Sequence, residues 1–291
     1  MKITKTFISI FLLTFLFGIT AFYVIPKMEN RAEEIKTVQV NQVDFSSPKI
    51  EVKCEPEVVE ENNDWEKDYE SKFKTKLLET GEGFHGDEIN AKTGEIWLGL
   101  FRQGNRYILR STKIIVKRVN DPIIDEPNQK TGKSVSVNEV SKPLFLVKNS
   151  NKLTEGEIKS LFWMNINDLA EDEYSDASSL KKNFVQEYDF DGTKYNLRVK
   201  SGVNKKGENI ISLILEGDGK SQVIHSLKSF EEGDYLGSVY FVGDLDRDNK
   251  PDFYFDLYFH DNVEYKNLFL SSKAKKGKLV EKVAAFSITG C

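Results

Sequence analysis

Four aspartates between Phe241 and Asp252 are spaced for cation chemistry. In Phe-Val-Gly-Asp-Leu-Asp-Arg-Asp-Asn-Lys-Pro-Asp, the carboxylates of Asp244, Asp246, Asp248 and Asp252 stand at loop positions 1, 3, 5 and 9. At that spacing a tightly turned loop points alternate oxygens at one hard cation. Four carboxylates so close repel one another unless a cation neutralises them. An EF-hand loop adds Gly at position 6, a backbone carbonyl at position 7 and a bidentate Glu at position 12; those positions hold Asn249, Lys250 and Phe255. Asn tolerates a left-handed backbone, so the serious departure is Phe255. With no closing Glu, and with Asp252-Phe-Tyr-Phe-Asp-Leu-Tyr-Phe running on like a strand, the loop reads as a calcium turn leading into a β-strand.

The stretch Val242-Gly-Asp-Leu-Asp-Arg-Asp-Asn-Lys-Pro-Asp-Phe resembles the calcium loop of FG-GAP or VCBS-type repeats, found in integrin-like β-propellers and in bacterial exported proteins. Position by position, the resemblance implies Ca²⁺ held by Asp244, Asp246, Asp248, the Lys250 carbonyl and Asp252. Further stretches, Gly83-Phe-His-Gly-Asp-Glu, Gly94-Glu-Ile-Trp-Leu-Gly-Leu, Leu268-Phe-Leu-Ser-Ser-Lys-Ala and Thr289-Gly-Cys, are similar to a group of uncharacterised bacterial exported proteins carrying one such loop. That likeness implies no particular activity. A propeller needs several repeats, whereas Asp189-Phe-Asp-Gly and Asp218-Gly-Lys echo the loop without its remaining carboxylates.

Residues suited to catalysis are sparse. The three histidines, His85, His225 and His260, are scattered, no Ser sits in a nucleophile elbow, and no Cys has a His nearby in sequence. An alternative to a binding role is a calcium-dependent hydrolase in which the cation activates water and His260, beside Asp261, or His85, beside Asp87 and Glu88, moves the proton. The simpler expectation is that glycines around His85 and the His260-Asp-Asn sequence mark turns. Thr131-Gly-Lys-Ser matches only the end of a phosphate-binding loop, since Pro127 stands where the earlier Gly belongs. Cys54 and Cys291 are either a disulfide or two unpaired thiols; their separation excludes a zinc knuckle.

These groups must be carried by the rest of the chain. Its 291 residues, 39 % hydrophobic and 12 % aromatic, can bury one or two sizeable cores. A net charge of -5 provides no electrostatic footprint for nucleic acid. Phe7 to Ile25 carries no charge and has the length of a bilayer-spanning helix. No small-x-small cleavage site ends it, so residues 1–26 read as a signal anchor, or else a cleaved signal peptide. Lys2 and Lys5 would hold the amino end in the cytoplasm. The rest would then stand outside the inner membrane of a bacterial envelope, anchored, or periplasmic or secreted after cleavage.

Residues 27–63, rich in Glu, Lys, Val, Pro and Asn, read as a flexible linker. Trp65, Tyr69, Phe73 and Leu77 recur every four residues, which predicts an amphipathic helix over 65–80 with Asp64 at its cap. That helix and a first β-rich lobe fill 64–150. A connector, 151–183, contains a short helix expected from the capping box Thr154-Glu-Gly-Glu, then an acidic run. A second β-rich lobe, 184–291, carries the calcium loop in an antiparallel meander, with Tyr195, Leu197 and Val199 alternating as in a half-buried strand. The expected fold is mainly β, two small antiparallel lobes with a few short helices behind a membrane helix. Lys273, Lys275, Lys276 and Lys278 form a basic cluster that suits anionic lipid or polysaccharide. The expected partners are the inner membrane and an envelope protein or glycan.

Overall fold

The computed structural model describes residues 73–163, 179–229, 234–257 and 262–289. The apolar segment 7–25, the linker, both cysteines, the acidic run after Trp163 and His260 lie outside them. No helix among the described residues is long and apolar enough to cross a membrane.

Sixteen strands follow in order: β1 (Lys76–Leu78), β2 (Gly81–Phe84), β3 (Ile96–Gln103), β4 (Arg106–Val119), β5 (Gly132–Val137), β6 (Leu146–Lys148), β7 (Gly156–Trp163), β8 (Ser179–Lys181), β9 (Val185–Phe190), β10 (Thr193–Val203), β11 (Asn209–Gly217), β12 (Lys220–Lys228), β13 (Tyr235–Asp244), β14 (Asp252–Leu257), β15 (Val263–Leu270) and β16 (Glu281–Thr289). They make a twelve-stranded sheet, β1-β6-β3-β4-β7-β13-β14-β15-β16 with β2, β5 and β8 attached beside it, and a four-stranded sheet, β12-β11-β10-β9. The mainly β expectation is borne out.

The two expected short helices are corrected where residues are described; Trp65 and Tyr69, the start of the first, lie outside the described residues. Over 76–78 the backbone is β1, paired with β6 through Leu77↔Val147 and Leu78↔Leu146. Both leucines are buried, a burial of adjacent residues that a single helical stripe does not provide. Past Thr154 the chain is β7, paired on one side with β4 and on the other with β13. The expected box does not form, because the Thr154 hydroxyl instead accepts from the Arg247 guanidinium at 2.7 Å and the Glu157 carboxylate lies 3.8 Å from Arg106. In both places pairing with distant strands outweighs local helical pattern. The one helical element among the described residues is a 3-10 turn, Ser271–Lys273. The larger sheet also draws on both segments that the sequence separates, with β7 bridging from β4 to β13.

Strands β13 to β16 explain the long apolar runs of the sequence, because they are covered on both faces. Tyr254, Leu268, Ala284 and Phe286 enter a core shared with Leu77, Leu100, Leu109 and Phe145. Their neighbours Phe253, Phe255, Phe269 and Ala285 enter a second core, against Tyr188, Leu197, Leu213 and Leu215 of the four-stranded sheet. Successive side chains of a strand point to opposite faces, so a strand buried on both sides is apolar without alternation. Tyr254 meets Phe145 on one side, ring centroids 4.8 Å apart, while Phe253 meets Tyr188 on the other at 6.3 Å. The outer sheet alternates as expected, with Tyr195, Leu197 and Val199 inward.

The two partial echoes of the calcium loop are hairpin turns. Asp191-Gly192 joins β9 to β10 and Asp218-Gly219 joins β11 to β12, all four residues with φ between +48° and +83°. Asp-Gly with both φ positive is the two-residue turn that matches strand twist.

Candidate metal centre

Asp244 is the last residue of β13 and Asp252 the first of β14, and the Gly243↔Asp252 register brings the two ends together. Gly243 is required where β7 crosses close by: a Cβ there would lie 2.6 Å from the Lys159 carbonyl oxygen. Between the strands, Leu245 is fully buried in the first core and anchors the loop. Arg247 and Asn249 adopt left-handed φ of 61° and 62°. Asn249 does so readily, as its position in the loop predicts. Arg247 is held there by its guanidinium, which donates to the Thr154 hydroxyl at 2.7 Å, the Thr154 carbonyl at 3.2 Å and the Glu157 carbonyl at 3.3 Å. Its charge is thereby spent on the turn before β7 and not on the aspartates.

The loop folds its backbone amides onto its own carboxylates. Asp244 accepts from the amides of Asp248 at 2.9 Å and Asn249 at 3.0 Å. Asp252 accepts from the amides of Leu245 and Ser271, each at 2.7 Å, and from the Ser271 hydroxyl at 3.0 Å. Asp248 accepts from the Lys250 amide at 3.0 Å and the Ser271 hydroxyl at 2.9 Å. Ser272 donates to Asp246 Oδ2. The other oxygen, Asp246 Oδ1, is buried with no hydrogen-bond partner.

Of the five expected ligands, three converge: Asp244, Asp246 and Asp252 each offer an oxygen, all within 4.8 Å of one another. Two oxygens on opposite sides of a Ca²⁺ ion lie about 4.6–5.2 Å apart, twice the metal–oxygen distance, so one ion can touch all three. Asp248 is set toward Ser271, and Lys250 meets the group through its amide bond to Asp248. Electrostatics mark the same three. Burial, reinforced by Asp246, pushes the Asp252 carboxyl well above the ordinary range. Burial also raises Asp244, and raises Asp246 with help from Asp248 and Asp244. Three carboxyls whose charged forms are disfavoured by burial and by one another are a set that a divalent cation would stabilise. Sequence reasoning missed the roles of Ser271 and Ser272, nineteen and more residues away in the 3-10 turn after β15. The only signal was two hydroxyls directly following the apolar Leu268-Phe-Leu.

His85 is placed differently from its expected neighbours. Its Nδ1 lies 2.6 Å from Asp121 Oδ2, and the Asp121 side chain is fully buried. Asp121 Oδ1 accepts the Ile123 amide, and Asp125 accepts the amides of Asp121 and Thr131. Glu88 caps the His85 amide at 2.8 Å and accepts the Thr289 amide at 2.6 Å. The pair therefore ties the turn after β2 to the turn after β4. The bond to Asp121 raises the His85 pKa. Burial works against the charge of Asp121, but His85 and the Ile123 and Ile124 amides outweigh it and lower that pKa. A raised folded-state His pKa contributes stability that is fully present below about 6.5 and fades as pH rises through the folded value. The lowered Asp pKa contributes above about 3.9 and is lost in stronger acid. The melting temperature is expected to fall between pH 6 and pH 8, and less steeply in His85→Gln; equal slopes in the two proteins would exclude a charged pair.

No family model matches the chain, and no curated protein or solved structure matches it either.

Proposed function

We propose that this is an exported, membrane-tethered module with one structural Ca²⁺ site, acting as a binding or envelope-associated protein and not as an enzyme. The carrying observation is the buried, unpartnered Asp246 Oδ1 beside converging oxygens of Asp244 and Asp252. A buried polar atom without a partner costs about 1–3 kcal/mol, which a cation at that point relieves. Asp244, Asp246 and Asp252 would hold the ion, with Asp248 and the Lys250 carbonyl completing the shell as in the FG-GAP-like loops it resembles. A bound ion would lock the β13–β14 hairpin to the Ser271–Lys273 turn, since Ser271 and Ser272 already bond to Asp252, Asp248 and Asp246. Export and tethering rest on the charge-free segment 7–25.

The hydrolase alternative has weaker support. His85 is occupied as a link between two turns by a buried carboxylate that also accepts a backbone amide, and His260 lies outside the described residues. Equilibrium dialysis of the purified chain against radioactive calcium tests the proposal. One ion per chain is expected, with a Kd of about 10⁻⁴ to 10⁻³ M, the range of extracellular modules. Less than a tenth of an ion per chain at 5 mM calcium would exclude the site.

A further inference from the structure

Beside the metal loop lies a cleft of about 330 Å³ whose lining is unusually cationic for a chain of net charge -5. Lys220 from the start of β12, Lys250 from the metal loop, and Lys275, Lys276 and Lys278 from the turn before β16 converge on it. Lys273, adjacent in sequence, does not take part and bonds to Asn151 instead. Folding therefore replaces the linear cluster by a concave one with two lysines from distant elements.

Some of this charge is spent locally. Lys220 pairs with Asp218 at 3.2 Å, and Lys275 and Lys278 with Glu281 at 2.6 and 3.8 Å. The ammonium groups of Lys250 and Lys276 have no carboxylate partner among the described residues. The walls are fixed in place. Gln222 accepts the amides of Leu279 and Val280, at 2.7 and 3.0 Å, and donates back to the Val280 carbonyl, clamping the base of the lysine turn. The turn is closed by Lys278 N–H to the Lys275 carbonyl. A preformed cleft of this size has room for a small ligand, and its charge favours an anion.

We propose that this cleft binds an anionic saccharide bearing several carboxylate groups. The lining contains lysines and no arginine, so it presents separate point charges in place of the planar fork that grips one phosphate bidentately. Separate charges match anionic groups spaced along an oligomer. Asp218, half exposed, shares the lining and can accept hydrogen bonds from sugar hydroxyls, for which a bare inorganic anion has no use. The concavity fits one or two rings of such an oligomer, the others lying along the lysines at its rim, better than the flat surface of a membrane. Ser271 also lines the cleft while bonding to Asp252 and Asp248, so calcium in the loop would steady one wall. The proposal supplies a ligand for the binding role above and rests on that reading only through this coupling.

Titration calorimetry of the full chain in nonionic detergent tests it with trigalacturonate as the probe. Binding is expected at low salt, weakened by 0.3 M NaCl because exposed charges are screened, and reduced about tenfold in Lys220→Ala/Lys276→Ala, equivalent to about 1.4 kcal/mol. A neutral maltotriose should give no heat. The double variant should keep the wild-type melting temperature in EDTA, which shows that its fold is intact whether or not calcium binds. Absence of heat from trigalacturonate, or equal binding by wild type and double variant, overturns the cleft assignment. Inorganic phosphate, glycerol phosphate as a lipid headgroup, or a short single-stranded oligonucleotide binding as tightly as trigalacturonate would overturn the saccharide class. Uronate binding that survives when calcium binding is absent would instead sink the metal reading alone.

Discussion

Several millimolar calcium is expected to raise the melting temperature of the chain by about 2–9 °C over its value in EDTA, and Asp246→Ala to remove that shift. Calcium that binds the folded state and not the unfolded chain stabilises by about 1–2.3 kcal/mol at about 5 to 50 times its Kd, the range that about 5 mM covers. In a protein of 150–250 residues each kcal/mol moves the midpoint by about 2–4 °C. Magnesium should do less, because it needs a tighter octahedron and gives up water reluctantly. Without calcium, Asp246→Ala should melt no lower than the wild type: it removes the orphaned Oδ1 and relieves the repulsion with Asp244 and Asp248, against the loss of the Ser272 bond. Asp252→Ala should behave otherwise. It strips the Leu245 and Ser271 amides of their partner, while the Ser271 hydroxyl keeps its bond to Asp248. Unsatisfied buried donors cost about 1–3 kcal/mol each, so this variant is destabilised even in EDTA. The two substitutions separate a ligand from a structural hub at the same centre. Identical traces in EDTA and calcium for the wild type would remove the ion from the account.

The turn was legible because its own signals lie within a dozen residues: the aspartate spacing, an Asn at the left-handed position, and strands on either side. The mainly β fold was legible too, from short apolar runs separated by Gly, Asn and Pro, whereas the two Asp-Gly pairs, read as echoes of the loop, are hairpin turns. What the sequence hid is non-local. A four-residue periodicity around Leu77 predicts a helix until β6 is available to pair with it. Thr154-Glu-Gly-Glu looks like a capping box until Arg247, ninety-three residues later, clasps Thr154. Gly156 makes room for that clasp, at φ 133°, where a Cβ would stand 2.7 Å from the guanidinium. The partner of His85 is Asp121 and not the adjacent acids, because the strand pairing of β2 with β5 and β5 with β4 brings two turns together. Ser271 and Ser272 reach the metal loop for the same kind of reason, since β15 lies beside β14 in antiparallel register.

Lys266→Met should be the most damaging single change away from the loop, lowering stability by about 3–5 kcal/mol, the usual consequence of removing one partner of a buried ion pair. The Lys266 side chain is only 3 % exposed, a position lysine almost never takes unless paired. It lies on β15 directly across from Asp256 on β14. Its ammonium donates to Asp256 at 3.1 Å and to the Tyr240 hydroxyl at 3.1 Å, lies 2.9 Å from Glu264, and sits 4.4 Å from the Tyr240 ring centre. Burial opposes its charge, but Glu79, Asp256, Tyr240 and Glu264 together outweigh burial and hold its pKa well above the ordinary value. These neighbours favour the charged ammonium. Glu79, bonded to the Tyr254 hydroxyl, is pushed up by burial and held down chiefly by Lys266. Methionine fills the volume of the stem but leaves Glu79 and Asp256 without their counter-charge. Asp256 also holds the Tyr265 amide at 2.9 Å, so the loss reaches the β14–β15 ladder. Urea unfolding measures the effect as a fall in midpoint at unchanged slope. A cycle with Asp256→Asn apportions it: the double variant should lose clearly less than the sum of the singles, because the uncompensated carboxylate is gone. If Lys266→Met costs under 1 kcal/mol, or the cycle is additive, the buried cation is not what fastens these strands.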